Sequence, residues 1–299
     1  MPLAVLVRII GPLAALLLTT SCSGAGTGFM DPAGLIAGTE RTMFFEIAAV
    51  TLIVVIPVFV LVPWVLWRYR RSGDPMDYAP DWESSNRLEW AIWAVPVLIV
   101  AALSVFVWQR THQLDPYREL SHPGEPVEIQ VVALDWKWLF IYPEEGVASV
   151  NEMVIPVGRP INLKLTSGTV MQSFHVPKLA GQVYAMAGMT TELSLSADRA
   201  GTFRGRNTQY NGDGFAQQHF DVIAMPSDRF DGWIGSRGAA GAKLDPQSFL
   251  LLAAPSVETE PTYYGRVDEN MFGTILKLST RANGPLGASP RHRDGDARP

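Results

Sequence analysis

Between Val127 and Met225 the chain alternates apolar and polar residues with period two in a series of short runs. Val127-Glu128-Ile129-Gln130-Val131 opens the series. Ile161-Asn162-Leu163-Lys164-Leu165-Thr166 and Glu192-Leu193-Ser194-Leu195-Ser196 continue it, and Phe220-Asp221-Val222-Ile223-Ala224 closes it. Successive side chains on a strand point to opposite faces, so each run predicts a strand with one face on a core and the other toward water. Gly and Pro separate the runs at Pro143, Gly146, Pro156, Gly158, Pro160, Gly168, Pro177, Gly188, Gly201, Gly212 and Gly214. Turn residues at this interval predict an antiparallel sandwich or barrel with one core. The spacing of three and four that a helix requires is missing here.

Upstream the pattern changes in kind. Residues 43–67 are apolar apart from Glu46, and residues 90–108 carry no charge. Both runs are long enough to cross a hydrocarbon layer of about 30 Å as helices. Pro57, Pro63 and Pro96 lie inside them, which spanning helices tolerate. Trp64, Trp67, Trp90, Trp93 and Trp108 sit near the ends, where interfacial aromatic belts form. A pair of buried soluble helices is the competing reading. Arg68, Arg70, Arg71 and Arg87 flank the inner ends, so the intervening loop (68–89) is expected in the cytoplasm and both termini outside.

Residues 1–21 read as a secretion signal, with Arg8 ahead of an apolar run over 9–18. The run ends in Leu18-Thr19-Thr20-Ser21-Cys22, which resembles a bacterial lipobox, in which the cysteine takes a diacylglycerol and becomes the new N-terminus. An uncleaved anchor helix with an incidental cysteine is the alternative. The signal places the N-terminus outside independently of the arginine count. Residues 22–42 form an exported linker, and residues 109–226 hold the sandwich. Beyond it, 228–234, 246–253 and the apolar spacing at Met271, Phe272, Ile275 and Leu276 predict a small accessory helical domain over 227–280. The tail, 281–299, is too poor in apolar side chains to order itself.

Composition sharpens this picture. Charged residues make up 18% of the 299 positions and mean hydropathy is +0.11, both pointing to membrane content. The net charge of -5 is modest and dispersed, which gives no reason to expect a nucleic-acid partner. Cys22 is the one cysteine, so no intrachain disulfide and no multi-cysteine metal site can form.

The order of these parts, with Leu134-Asp135-Trp136-Lys137-Trp138, Phe140-Ile141-Tyr142-Pro143, Met171-Gln172-Ser173-Phe174 and Tyr184-Ala185-Met186-Ala187-Gly188-Met189, resembles subunit II of the haem-copper terminal oxidases. More narrowly it resembles the subunit II of cytochrome bo-type ubiquinol oxidases, over roughly residues 15–280. The resemblance implies a membrane-anchored α+β chain: a two-helix transmembrane hairpin, a cupredoxin-like β-sandwich and a small C-terminal helical extension. In the cytochrome c-oxidising branch the sandwich holds a two-copper centre, bridged by thiolates that delocalise one electron. Its upstream histidine slot falls here on Gln172. Its downstream slots fall on Tyr210, Gly212, Gly214, Gln218 and Asp221, none a ligand of the required kind. Sliding the register by one residue brings His219 into the histidine slot but leaves Asn211 and Phe215 where thiolates are needed. His175 and His219 then read as packing or surface residues, Met186 and Met189 as core filling, and Trp136 as a core aromatic beneath an empty site.

The resemblance therefore implies a subunit with no cofactor of its own in a proton-pumping ubiquinol oxidase of a bacterial inner membrane. Two haems and one copper are expected in a polytopic subunit I, beside small membrane subunits and membrane lipid, with electrons arriving from ubiquinol. Residues 126–225 carry nine acidic and seven basic side chains, which is not an acidic face for docking a basic cytochrome. Glu89, at the cytoplasmic start of the second apolar run, matches the place of a family glutamate at the mouth of a proton channel. Its plainer reading is a helix-start acid favoured by the dipole. Two rival functions remain: a copper-bearing cytochrome c oxidase subunit II, opposed by the cysteine count, and a non-catalytic assembly lipoprotein on a cupredoxin scaffold.

Overall fold

A computed structural model of the chain describes residues 28–70, 85–118, 120 and 124–281. The expected signal segment with Cys22, most of the inner loop and the expected tail lie outside the described residues. The chain divides into two units: residues 39–115, and the rest.

The first unit is built on two helices, α1 (Leu35–Arg68) and α2 (Asn86–Gln113). Each runs past the apolar stretch that predicts it. Their apolar side chains point outward on all sides, including Phe59, Leu66, Trp90 and Trp93. A helix apolar all round has no water-facing side and requires lipid or other protein around it. Inside the unit, Glu46 on α1 meets Arg110 on α2, with Nη2 3.1 and 3.0 Å from the two carboxylate oxygens. The one acid that interrupts the first apolar run is thus neutralised by the partner helix.

The second unit is a sandwich of two mixed sheets. Its strands are β1 (Val127–Leu134), β2 (Lys137–Tyr142), β3 (Val147–Val150), β4 (Glu152–Pro156), β5 (Ile161–Ser167), β6 (Gln172–His175), β7 (Gln182–Ala185), β8 (Thr191–Leu195), β9 (Gly201–Asn207), β10 (His219–Met225), β11 (Ala242–Leu244) and β12 (Thr262–Val267). One sheet runs β11-β12-β3-β2-β1-β5-β8 and the other β4-β10-β9-β6-β7. The expectation of a purely antiparallel sandwich needs correction: β1 lies parallel to β5, β4 to β10 and β11 to β12. Period-two patterning reports which face a residue occupies and carries no information on strand direction.

Alternate residues of β1 and β2 enter two separate cores. Ile129, Val131, Ala133, Trp138, Phe140 and Tyr142 face the second sheet, where Trp138 and Phe140 pack on Phe174 and Phe220. Val132, Leu134, Leu139 and Ile141 face the other way, onto Leu244, Phe249, Met271 and Ile275. The C-terminal extension covers that outer face. It is helical, as expected, with α3 (Ser227–Ala240), α4 (Pro246–Leu252) and α5 (Met271–Arg281). It also supplies β11 and β12, which the sequence reading missed: β11 is three residues long, and β12 is exposed at its first residue. Asp245 caps α4 through Ser248 N at 2.9 Å, with Pro246 in the first turn.

A buried lysine fastens the extension down. Lys137 is almost fully enclosed, and its Nζ donates to Ala254 O at 3.1 Å and to Ser256 Oγ, with Glu258 3.6 Å away. Burial pulls its pKa below the usual lysine range, with Glu258 and Asp135 opposing that shift. The ammonium has three protons to place, and the 254–258 segment receives them. Lys137→Ala should lower the unfolding free energy by about 1–3 kcal/mol through the partners left unpaired, measured by chemical denaturation of the full chain. Unchanged stability would contradict this role.

Candidate functional site

Three loops meet at one end of the sandwich: the turn 134–137, the loop 167–172, and the long connection 207–219 that contains a 3-10 turn over Phe215–Gln217. The amide and hydroxyl side chains enclosed between these loops lie away from water and find their partners among themselves and on loop carbonyls.

Gln172 and Gln218, both fully enclosed, lie at the centre. Gln218 Nε2 donates to Gln172 Oε1 at 2.5 Å, and the two Nε2 groups donate to the same carbonyl, Leu134 O, at 3.2 and 3.1 Å. Gln172 Nε2 also donates to Thr169 Oγ1 at 3.0 Å, which donates to Asp135 Oδ1 at 2.8 Å. Burial raises the Asp135 carboxyl above the usual range, while the Thr169 hydroxyl and Lys137 pull it back. On the other side Gln218 Oε1 accepts from Asn207 Nδ2 at 2.9 Å and Asn211 Nδ2 at 2.8 Å. Asn207 Oδ1 in turn accepts from the backbone N–H of Ser173 and of Gln209, each at 3.0 Å. The result is a web of neutral amides, joined to one carboxylate through a hydroxyl, in which Asn211 Oδ1 is buried without a partner.

Trp136 roofs this web. Its Nε1 donates to Asn211 O at 3.2 Å, and Gly212 and Gly214 lie against its ring. A Cβ at Gly214 would sit 2.2 Å from Trp136 Cδ2, so no larger residue fits without moving the indole. Gly212 adopts φ +110, a conformation open to glycine at little cost.

The six positions singled out from the sequence therefore separate. Gln172 and Gln218 touch, and Gly212 and Gly214 share the face of Trp136. Tyr210 points outward, 70% exposed and edge-on to Phe215, and Asp221 sits in the β10 ladder, in register with Arg204. Met189 is a correction, since it is exposed rather than core. It follows β7, an edge strand, so its turn runs over the surface. His175 is half-buried and His219 exposed. The participants missed in sequence were Asn207, Asn211, Thr169 and Asp135. Their signal was a set of small amide and hydroxyl residues at strand ends, which reads equally well as turn chemistry. Glu89 lies in the other unit, exposed in the first turn of α2, where its backbone N–H donates to Ser85 O. Among the described residues no three His, Cys, Asp or Glu side chains gather into a metal-binding group.

The family model described as the periplasmic domain of cytochrome c oxidase subunit II matches residues 128–222, and the COX aromatic rich motif matches 239–278. The cytochrome bo(3) ubiquinol oxidase subunit 2 of Pseudomonas aeruginosa is 44% identical over 253 residues, covering 85% of this chain and 76% of its own. The chain belongs to the ubiquinol oxidase subunit 2 family. The ubiquinol oxidase subunit 2 of Acetobacter aceti is 41% identical over 269 residues, covering 89% and 86% of the two chains. The crystal structure of the periplasmic domain of subunit II of cytochrome oxidase from Bradyrhizobium japonicum aligns with 22% identity and a TM-score of 0.37, over 40% of this chain and 96% of that one. The subunit II family match spans the sandwich from β1 into β10, and the aromatic rich motif is the segment carrying β11, α4, β12 and most of α5.

Because these amides share partners, the web should respond as a unit. Gln172→Leu and Gln218→Leu should each cost about 1–3 kcal/mol by leaving buried groups unpaired. The double variant should cost clearly less than the sum. Additive losses in denaturant titrations would show that the two glutamines act independently.

Proposed function

We propose that this chain is the second subunit of a proton-pumping quinol oxidase whose cupredoxin-like domain holds no two-copper centre. The observation that carries the reading is the Gln172–Gln218 contact: the upstream histidine slot and the downstream histidine slot hold neutral amides bonded to each other. A copper pair needs bridging thiolates, and the chain has no cysteine after Cys22. The residues present therefore do not fit the metal. Installing it would also break a web in which Leu134 O and Gln218 Oε1 each already accept two hydrogen bonds.

Without a metal relay in this domain, electrons enter the complex elsewhere. Ubiquinol, dissolved in the membrane, delivers them to the haem-bearing polytopic subunit I, where two haems and a copper reduce oxygen. This subunit anchors the complex in a bacterial inner membrane beside smaller subunits, with α1 and α2 spanning and the sandwich on the periplasmic side. Cys22 carries a lipid once residues 1–21 are removed. Glu89, exposed at the start of α2, lies at the cytoplasmic surface and collects protons for subunit I, a role that suits an ionisable group at such a depth.

The test uses the assembled oxidase. Wild-type complex should consume oxygen with ubiquinol as donor and not with reduced cytochrome c. Glu89→Gln should slow ubiquinol-driven turnover several-fold with haem content and subunit composition unchanged. Full turnover in the variant would remove the proton role; cytochrome c oxidation by the wild type would overturn the donor assignment.

A further inference from the structure

On the outer face of the second sheet, Arg206 of β9 is in register with His175 of β6 on one side and His219 of β10 on the other. Residues directly opposite in antiparallel ladders share a face and stand about 5 Å apart. His175, Arg206 and His219 therefore form one row across three strands. Their chain neighbours Phe174, Gly205 and Phe220 point the other way, into the core. Arg204 stands on the row's face, about 7 Å further along β9. A cleft of about 1050 Å³ is lined by this row together with Gly28, Phe29, Asn207 and Gln218.

The lining of this cleft contains Arg204, Arg206, Lys178 and both histidines, and no aspartate or glutamate. Lys178 is held by Asp31 at 2.8 Å, which also pairs with Arg199. Arg204 and Arg206 form no ion pair among the described residues. Asp221 faces Arg204 across the ladder yet lies outside the lining. Asp221 answers Arg204 alone, and the lining itself holds no acid, so the repulsion left around Arg206 is what a bound anion would relieve. His175 Nδ1 is buried with no hydrogen-bond partner. Burial first, then the neighbouring arginine, holds each imidazole below the usual histidine range: Arg206 for His175 and Arg204 for His219, where Asp221 partly opposes.

We propose that this cleft is a phosphate-binding site, with Arg206 at its centre, Arg204 beside it and His175 and His219 on either flank. The donors are spread over three adjacent strands rather than gathered in one fork, which suits an oxyanion with three or four acceptor oxygens better than a planar carboxylate held by a single guanidinium. Thr202 and Thr208 add hydroxyls to the rim, while Phe29, Pro177 and Phe215 give apolar walls. The volume exceeds that of a bare phosphate, so a phosphate ester fits as well as the free ion. The site is independent of the electron and proton assignments above.

The five histidines of the chain make the test direct. Histidine-labelled full chain in phosphatidylcholine nanodiscs is titrated with inorganic phosphate at constant ionic strength and followed by NMR. His175 and His219 should shift saturably while the other three stay in place, and Arg206→Gln should weaken binding at least tenfold with an unchanged melting curve. Arg204→Gln replaces it should Arg206→Gln not fold. A parallel series carries phosphatidylglycerol in the bilayer without added phosphate. The same two resonances shifting there would assign the phosphate to a lipid headgroup; a shift with soluble phosphate alone would assign it to the free ion. No saturable shift from either source, a shift undiminished in the arginine variants, or a response to a polyglutamate peptide in place of phosphate would overturn the proposal.

Discussion

Strand β2 meets no water on either face, and the rest of the domain is arranged around that constraint. Trp138, Phe140 and Tyr142 fill the space between the sheets, while Leu139 and Ile141 are covered by the C-terminal extension. A sheet in water normally solvates one face. Here the extension is needed to bury the other, and Lys137 at the head of the strand makes the attachment specific: an enclosed ammonium is tolerated when its protons are placed, and the 254–258 segment places them. The aromatic rich motif thus supplies the far side of the second core, with Arg237 lying 3.7 Å over the Tyr263 ring and Tyr263 donating to Glu152 at its edge.

The same four-residue stretch organises the polar end. Asp135 reaches Thr169, Trp136 covers the glycines, Lys137 turns out to the extension and Trp138 turns in to the core. Four neighbouring side chains in four environments account for why so compact a motif stands out along the chain. The amides that follow from it, Gln172 and Gln218, satisfy one another and a shared carbonyl. Such a web can fix loop positions through hydrogen bonds alone.

Much of this was legible in the residues. The two membrane helices follow from long apolar runs broken by the single charge of Glu46, and the sandwich from period-two runs punctuated by glycine and proline. Strand direction was not legible, because alternation is blind to it. Nor were β11 and β12, whose few residues carry too little pattern to rise above a loop. Val131-Val132-Ala133-Leu134 and Trp138-Leu139-Phe140-Ile141-Tyr142 did carry a readable sign of two-sided burial, since alternation breaks down in both. At the site, Gln172 and Gln218 were found through the family pattern. Asn207 and Asn211 escaped because an amide at a strand end looks the same in sequence whether it closes a turn or completes a buried web. The row of His175, Arg206 and His219 depends on the register of three strands distant in sequence, which no local pattern records.

On the proposed reading, Gln172 and Gln218 stand where a copper-bearing subunit II would place its histidine ligands. Copper content of the full-length chain, purified from copper-replete cells and measured by mass spectrometry with its paramagnetic resonance spectrum, tests this most directly. The account predicts far less than one copper per chain and no delocalised mixed-valence signal; two coppers per chain with that signal would contradict it.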